Sequence, residues 1–376
     1  MTSRERLIKV LSGELPDRVP VAPDTSNMIP ARLTGLPFWD LYLYKKIPIW
    51  KAYIDCAKYF GFDSLMDGYA PILFSELSEI NTEYKEAIIK QNDDAIYTRF
   101  YKTANGKRFW NNRLNVYDRV NPMVETTINK LSLPDEPGSF KDVEGVTEWP
   151  TGEELLKYVK KELGDQGLVG VTCGTSSLIG NEEAVYDYFD DPDKYVEISK
   201  ERLDYFKRRF NHLMSLETKP DFIGTGASGS LVLQTIDMVK QLTLPIVKEM
   251  ARLAKENGIF SHVHSCGPEA ALVELFVNET DLSVIDPLEI KPMGDCNLKE
   301  LKQKFGDKIT LKGNLHTTEV MLFGTPNDVI EASKRAIEDA AEGGRFILST
   351  GDQCGRDTPD ANIFAMIEAV EKYGRY

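Results

Sequence analysis

Basic residues are scarce in this chain. Its 376 residues carry 45 Lys and Arg against 59 Asp and Glu, a net charge of -14. A phosphate backbone is held by a basic stripe, and anionic lipid headgroups attract polybasic clusters. The acidic balance excludes nucleic acid and the membrane surface as partners. Long apolar runs are missing too, since none approaches the roughly 18–20 residues needed to span a bilayer. The opening, MTSRERLIKVLSGELPDRVP, has no sustained apolar core and no cleavage site. No signal peptide is expected, and the expected location is cytoplasmic.

Cysteine and histidine are also rare. The five cysteines (56, 173, 266, 296 and 354) are odd in number and irregularly spaced, which does not make a disulfide framework. In a reducing compartment each is a core residue, a metal ligand or a nucleophile. The four histidines are His212, His262, His264 and His316. No G-x-S-x-G elbow occurs, so a serine hydrolase has no support. GTGASGS (224–230) fits neither G-x-G-x-x-G nor the P-loop spacing and reads as a tight strand-to-helix turn. What is present, 42% hydrophobic and 28% charged residues, is the composition of a soluble globular chain.

Along the chain an amphipathic helix, SRERLIKVLSGE, precedes the extended RVPVAP. A second helical stretch, IPIWKAYIDCAKYFG, leads to the short strand FDSLMD. Residues 85–127 are rich in β-branched and aromatic side chains, with Asn105-Gly106 as a hairpin signal, and predict an antiparallel β-ribbon. Residues 131–150 read as a connector. From about residue 167, apolar strands alternate with helices: LVGVTC, DFIGTG, IFSHVHSCG, DLSVIDPLE, KITLKGNLH and FILSTGD. Near-continuous apolar strands are buried on both faces, and β-then-α order requires parallel pairing. With FDSLMD and RVPVAP this predicts a single distorted (β/α)₈ TIM-type barrel over 1–376, carrying the ribbon as an insertion.

Barrel chemistry sits where strands end. The predicted ends offer Asp67, Cys173, Thr225, His264, Cys266, Asp286, Glu289, Asn314, His316, Thr350, Asp352 and Cys354. In a strand, residues two apart share a side, so His264 and Cys266 offer nitrogen and sulfur to one borderline-soft ion such as zinc. The bland alternative is a satisfied core histidine beside a small buried cysteine. His262 shares that side one layer deeper, as a core or supporting residue. Cys354 or Asp352 is the expected third ligand, with Glu289 and His316 next in order. Trp39, Met66, Tyr69 and Trp110 are candidates for a substrate pocket, with core or ribbon packing as the alternative.

The opening TSRERLIKVLSGELPDRVPV, HSCG at 264–267, PLEIKPMGDCNLKELKQKFGDKITLKGN at 287–314 and the C-terminal GGRFILSTGD…DTPDANIFAMIEAVEKYGRY resemble the uroporphyrinogen decarboxylase superfamily. The resemblance implies a distorted (β/α)₈ barrel. True uroporphyrinogen decarboxylases of that superfamily carry R-Q-A-G-R near the N-terminus; here the region reads APDTSNMIPARLTG with Arg32 alone, which suits a polycarboxylate poorly. The other branch comprises zinc-dependent methyltransferases that work with corrinoid proteins. His264, Cys266 and Gly267 match its H-x-C-G motif. Counted back from Thr358-Pro359, its later cysteine falls on Asp352, with Cys354 two residues on. The resemblance therefore implies Zn²⁺ on His264 and Cys266 with a third ligand from this loop, and methyl exchange between a small methylated compound and a corrinoid. The chain lacks the corrinoid-binding D-x-H-x-x-G motif, so the corrinoid is expected on a partner protein, and a homodimer is left open. Asn314 and His316 are the expected catalytic side chains. A metal-independent decarboxylase using Asp67 as the acid, and methylation of coenzyme M, are the alternatives.

Overall fold

The computed structural model describes residues 1–66, 84–144 and 149–376. Asp67 and Tyr69 fall outside them. Strand β1 (Ser64–Met66) is followed by β2 (Lys85–Gln91), β3 (Ala95–Ala104), β4 (Lys107–Asp118), β5 (Val124–Thr127) and β6 (Lys141–Asp142). Six more strands follow: β7 (Gly167–Thr175), β8 (Phe222–Gly226), β9 (Phe260–His264), β10 (Val284–Asp286), β11 (Thr310–Leu315) and β12 (Phe346–Thr350). The seven strands β1 and β7–β12 form one parallel sheet in chain order.

RVPVAP fills the remaining place. The Ala22 N–H donates to the Leu348 carbonyl at 2.9 Å, the Leu348 N–H to the Pro20 carbonyl at 2.9 Å, and the Asp63 N–H to the Val21 carbonyl at 2.8 Å. The segment thus lies between β12 and β1, with Val21 in a parallel bridge to Leu348. Two prolines keep it from making a full ladder, because each lacks an N–H.

The ribbon is larger than the sequence suggests. Strands β2–β6 make a five-stranded antiparallel sheet in the order β5-β4-β3-β2-β6. Asn105 and Gly106, at φ 51° and 74°, form the two-residue turn that joins β3 to β4, as that dipeptide favours. The connector supplies β6 and is pinned by Arg99. This buried guanidinium donates to the carbonyls of Pro134 and Asp135 at 3.2 and 2.9 Å. Two expected pocket residues belong to packing instead. Trp110 lies against Tyr101 and Phe140, and Trp39 packs on the cluster of Leu43, Ile96 and Tyr117. Met66 is a fully buried member of the main core.

The N-terminal helix (Ser3–Ser12) closes the barrel floor, burying Leu7, Val10 and Leu11 against Leu65, Leu168, Phe222, Val284 and Ile347. Thr2 begins it with a capping box closed by Glu5. The stretch from Ile236 to Glu256 forms two helices rather than one. It divides at Thr243, and Pro245 starts a second helix in its first turn, where a missing N–H costs nothing.

Beside the floor, Asp221 accepts hydrogen bonds from Arg4 at 2.6 and 2.9 Å, from Lys160 at 2.9 Å and from the Val169 N–H at 2.9 Å. Burial pushes this carboxyl up, but Arg4, Lys160 and the Val169 N–H outweigh it and hold it below its ordinary range. A depressed carboxylate stabilises the fold above its unfolded value of about 3.9, and that contribution is lost as pH falls through the folded value. Asp221→Asn should cost about 2 kcal/mol at neutral pH, and the gap to wild type in urea unfolding should narrow as pH falls below the unfolded value of about 3.9. A gap unchanged by acid would refute the assignment.

Candidate metal centre at the barrel mouth

β9 ends at His264, so Cys266 lies two residues beyond the strand. Strand parity therefore does not place its sulfur, and the neighbouring loops do. The Ala227 N–H donates to the His264 carbonyl at 2.7 Å and the Gly229 N–H to the Cys266 carbonyl at 3.0 Å. The glycine-rich turn after β8 thereby holds the ligand segment. The Ser265 N–H donates to the Asp286 carbonyl at 2.8 Å. Gly267 sits at φ 103°, where a Cβ would also meet Val232 at 3.3 Å, so the last residue of HSCG must be glycine. Its N–H donates to Glu289 Oε2 at 2.5 Å and draws the carboxylate to the same loop.

Two sets of donor atoms converge. Those of Cys266, Glu289 and Asp352 lie within 4.8 Å of one another, as do those of Asp24, His264 and Asp352. Asp352 belongs to both. It stands 3.5 Å from His264 Nε2, and its backbone is held at φ 135°, a conformation that a non-glycine residue adopts only under constraint. Burial and the charge of Asp352 both push the Glu289 carboxyl up, against the Gly267 N–H, which lowers it. Each set holds two carboxylates, which repel one another unless a cation lies between them. One imidazole, one sulfur and these oxygens fit zinc or a similar divalent ion.

Asp286, fully buried, sets the orientation of His264. Its Oδ1 accepts from His264 Nδ1 at 3.0 Å and from His262 Nε2 at 2.9 Å, and its Oδ2 pairs with Lys312. His264 thus keeps its proton on Nδ1 and turns Nε2 toward Asp352, the arrangement of a histidine prepared for a metal. Burial would depress the imidazole, yet Asp286, Asp352 and Cys266 outweigh it and hold it well above its ordinary range. Burial likewise opposes the Asp286 charge, and Lys312, His262 and His264 overcome it. Glu269 lies fully buried beneath, where desolvation drives its carboxyl far up; its Oε1 accepts the Leu288 N–H at 2.5 Å.

His264, Cys266, Glu289 and Asp352 are brought together, and Cys354 is not. Its backbone is tied to the Asp24 carbonyl at 2.9 Å and to Ser26 Oγ at 2.9 Å. Its buried thiol is pushed up to about 12 by desolvation, against the nearby Thr358 and Thr350 hydroxyls. A thiolate is the ligand form, so this sulfur is poorly suited to an ion. Cys354→Ala should leave metal content unchanged while Cys266→Ala lowers it several-fold, as measured by elemental analysis after gel filtration.

His316 takes a different position from a ligand. Its Nδ1 accepts the Thr318 and Glu319 N–H groups at 3.2 and 3.1 Å, so the neutral ring carries its proton on Nε2. That buried nitrogen has no hydrogen-bond partner among the described residues. It borders a small cleft with Glu289, Asn314 and Gly351. Asn314 donates to the Leu288 carbonyl at 3.1 Å. Sequence reasoning missed Asp24, although it directly follows the extended RVPVAP segment (18–23) and so obeys the strand-end rule.

Residues 124–373 match the uroporphyrinogen decarboxylase (URO-D) family. The chain belongs to this family. Among curated proteins it is similar to methylcobamide:CoM methyltransferase MtbA of Methanosarcina mazei, with 28% identity over 140 residues, 36% of this chain and 37% of the relative. The Methanosarcina acetivorans MtbA is 26% identical over equal shares. These matches span little more than a third of each relative's length. A solved methyltransferase from Methanosarcina mazei shares the fold, at TM-score 0.61 and 14% identity over 99% of both chains. Among the described residues of this URO-D family chain, no helix is long and apolar enough to cross a membrane.

Proposed function

We propose that this chain is a zinc-dependent methyltransferase that moves a methyl group between a small methylated compound and the cobalt of a corrinoid carried by a separate protein. The observation that supports it most is the convergence of His264, Cys266, Glu289 and Asp352 at the barrel mouth. The partial likeness to MtbA supports the reaction class. A divalent ion held by these residues, with Asp24 in reach, would supply Lewis acidity toward the oxygen or sulfur that the methyl group leaves. Asp286 fixes the ring of His264, and Gly267 fixes Glu289. His316 presents an N–H to the cleft, where it would hydrogen-bond the leaving oxygen.

The donor set favours a methoxylated compound, such as a methoxy-arene, over methylation of a thiol. With a single cysteine among the converging donors, fewer thiolates dilute the charge of the ion, which suits an ether oxygen. The test is methyl transfer from a methoxylated aromatic to the reduced corrinoid protein, before and after chelation. Turnover should vanish on chelation and return with zinc. Unchanged turnover in metal-free protein would overturn the reading.

A further inference from the structure

At the opposite end of the barrel lies a second cavity, of about 590 Å³, within the range of small-molecule sites. It is formed where β9–β12 begin and is roofed by Leu11 and Ser12 of the N-terminal helix. Three cations line it, Lys255, Lys308 and Arg345, against one carboxylate, Asp281. Asp281 is already engaged by Lys255 at 2.6 Å. Lys308 and Arg345 form no ion pair with any described residue.

Arg345 is the more telling of the two. Its guanidinium is partly buried against Gly13, so closely that a Cβ there would lie 2.3 Å from Nη2. It donates no hydrogen bond to a described residue, although a guanidinium has five N–H groups to satisfy. Burial lowers its affinity for the proton, and Asp307 offsets this only from beyond ion-pair reach. Close by, Lys302 donates to the Gly344 carbonyl. Its ammonium is brought down to about 8 by burial and the charge of Arg345, against the pull of Asp307 and Glu342. A chain of net charge -14 has thus gathered surplus positive charge around one cavity. Arg345, half-buried with no described carboxylate within ion-pair reach, is unfavourably placed unless an anion joins it.

We propose that this floor cavity binds a phosphate group, either free or borne by a small metabolite. Arg345 is its forked contact, since a guanidinium meets an oxyanion with two parallel N–H groups. Lys308 is the second cation, and the apolar walls of Ile259, Phe260, Val277 and Leu282 leave room for an organic moiety.

Calorimetric titration of the full-length, zinc-loaded protein with inorganic phosphate, glycerol phosphate and acetate at matched ionic strength tests this. Phosphate should bind and acetate should not. Tighter binding of glycerol phosphate would indicate a metabolite, and tighter binding of inorganic phosphate the free ion. Arg345→Met should weaken phosphate binding by about tenfold or more. Lys308→Met, at an exposed position that does not bear on folding, should weaken it by about fivefold. Cys266→Ala should leave it unchanged, which separates this cavity from the metal centre. Phosphate binding no tighter than acetate, or wild-type affinity in Lys308→Met and Arg345→Met, would overturn the assignment.

Discussion

Asp352→Ala is expected to abolish metal binding at the proposed centre and to lower the proposed methyl transfer by more than about a hundredfold. Asp352 is the one residue common to both convergent donor sets, so its removal leaves neither intact. Asp352→Asn should behave nearly as badly, because it keeps the shape and removes the charge. Asp352→Cys, which restores the thiolate of the methyltransferase branch, should retain metal and lose rate on a methoxylated donor. The folded state should change little, since the side chain is partly exposed at the mouth. Elemental analysis and unfolding by urea, run on the same preparations, check all three. Full metal content in Asp352→Ala would remove this residue from the site.

Asp286→Ala is expected to destabilise the fold by about 3–5 kcal/mol, the usual cost of breaking a fully buried charge pair. The substitution takes from Lys312, His262 and His264 the carboxylate that all three share. The double variant Asp286→Leu with Lys312→Met should recover much of this loss, because both charges then leave together. It should not recover metal affinity, which should stay about 10–100-fold weaker because His264 has lost its orienting partner. A double variant as unstable as the single one would show that the pair itself is not the source.

The sequence carried the alternation of apolar strands and helices from residue 167 onward, because strands buried on both faces and amphipathic helices have different periods. It carried the Asn105-Gly106 turn, because only certain residues adopt positive φ. It also carried His264 and Cys266, which stand out where histidine and cysteine are rare. Asp24 was equally legible in principle. The two prolines of RVPVAP blurred where this expected barrel strand ends, since a strand that cannot donate every ladder hydrogen bond is bounded only by the neighbours that complete it. The choice between Asp352 and Cys354 lay beyond any reading of spacing. Two positions apart on one loop, they are separated by backbone contacts to Asp24 and Ser26 that turn one side chain toward His264 and bury the other. Likewise, Asp286 was legible only as a strand end and Lys312 only as an ordinary charged residue in sequence. Only the closing of the barrel places them face to face in a desolvated interior, where a charge must find its partner. The cation-lined cavity at the floor has the same origin: its residues come from five distant segments, and no local pattern joins them.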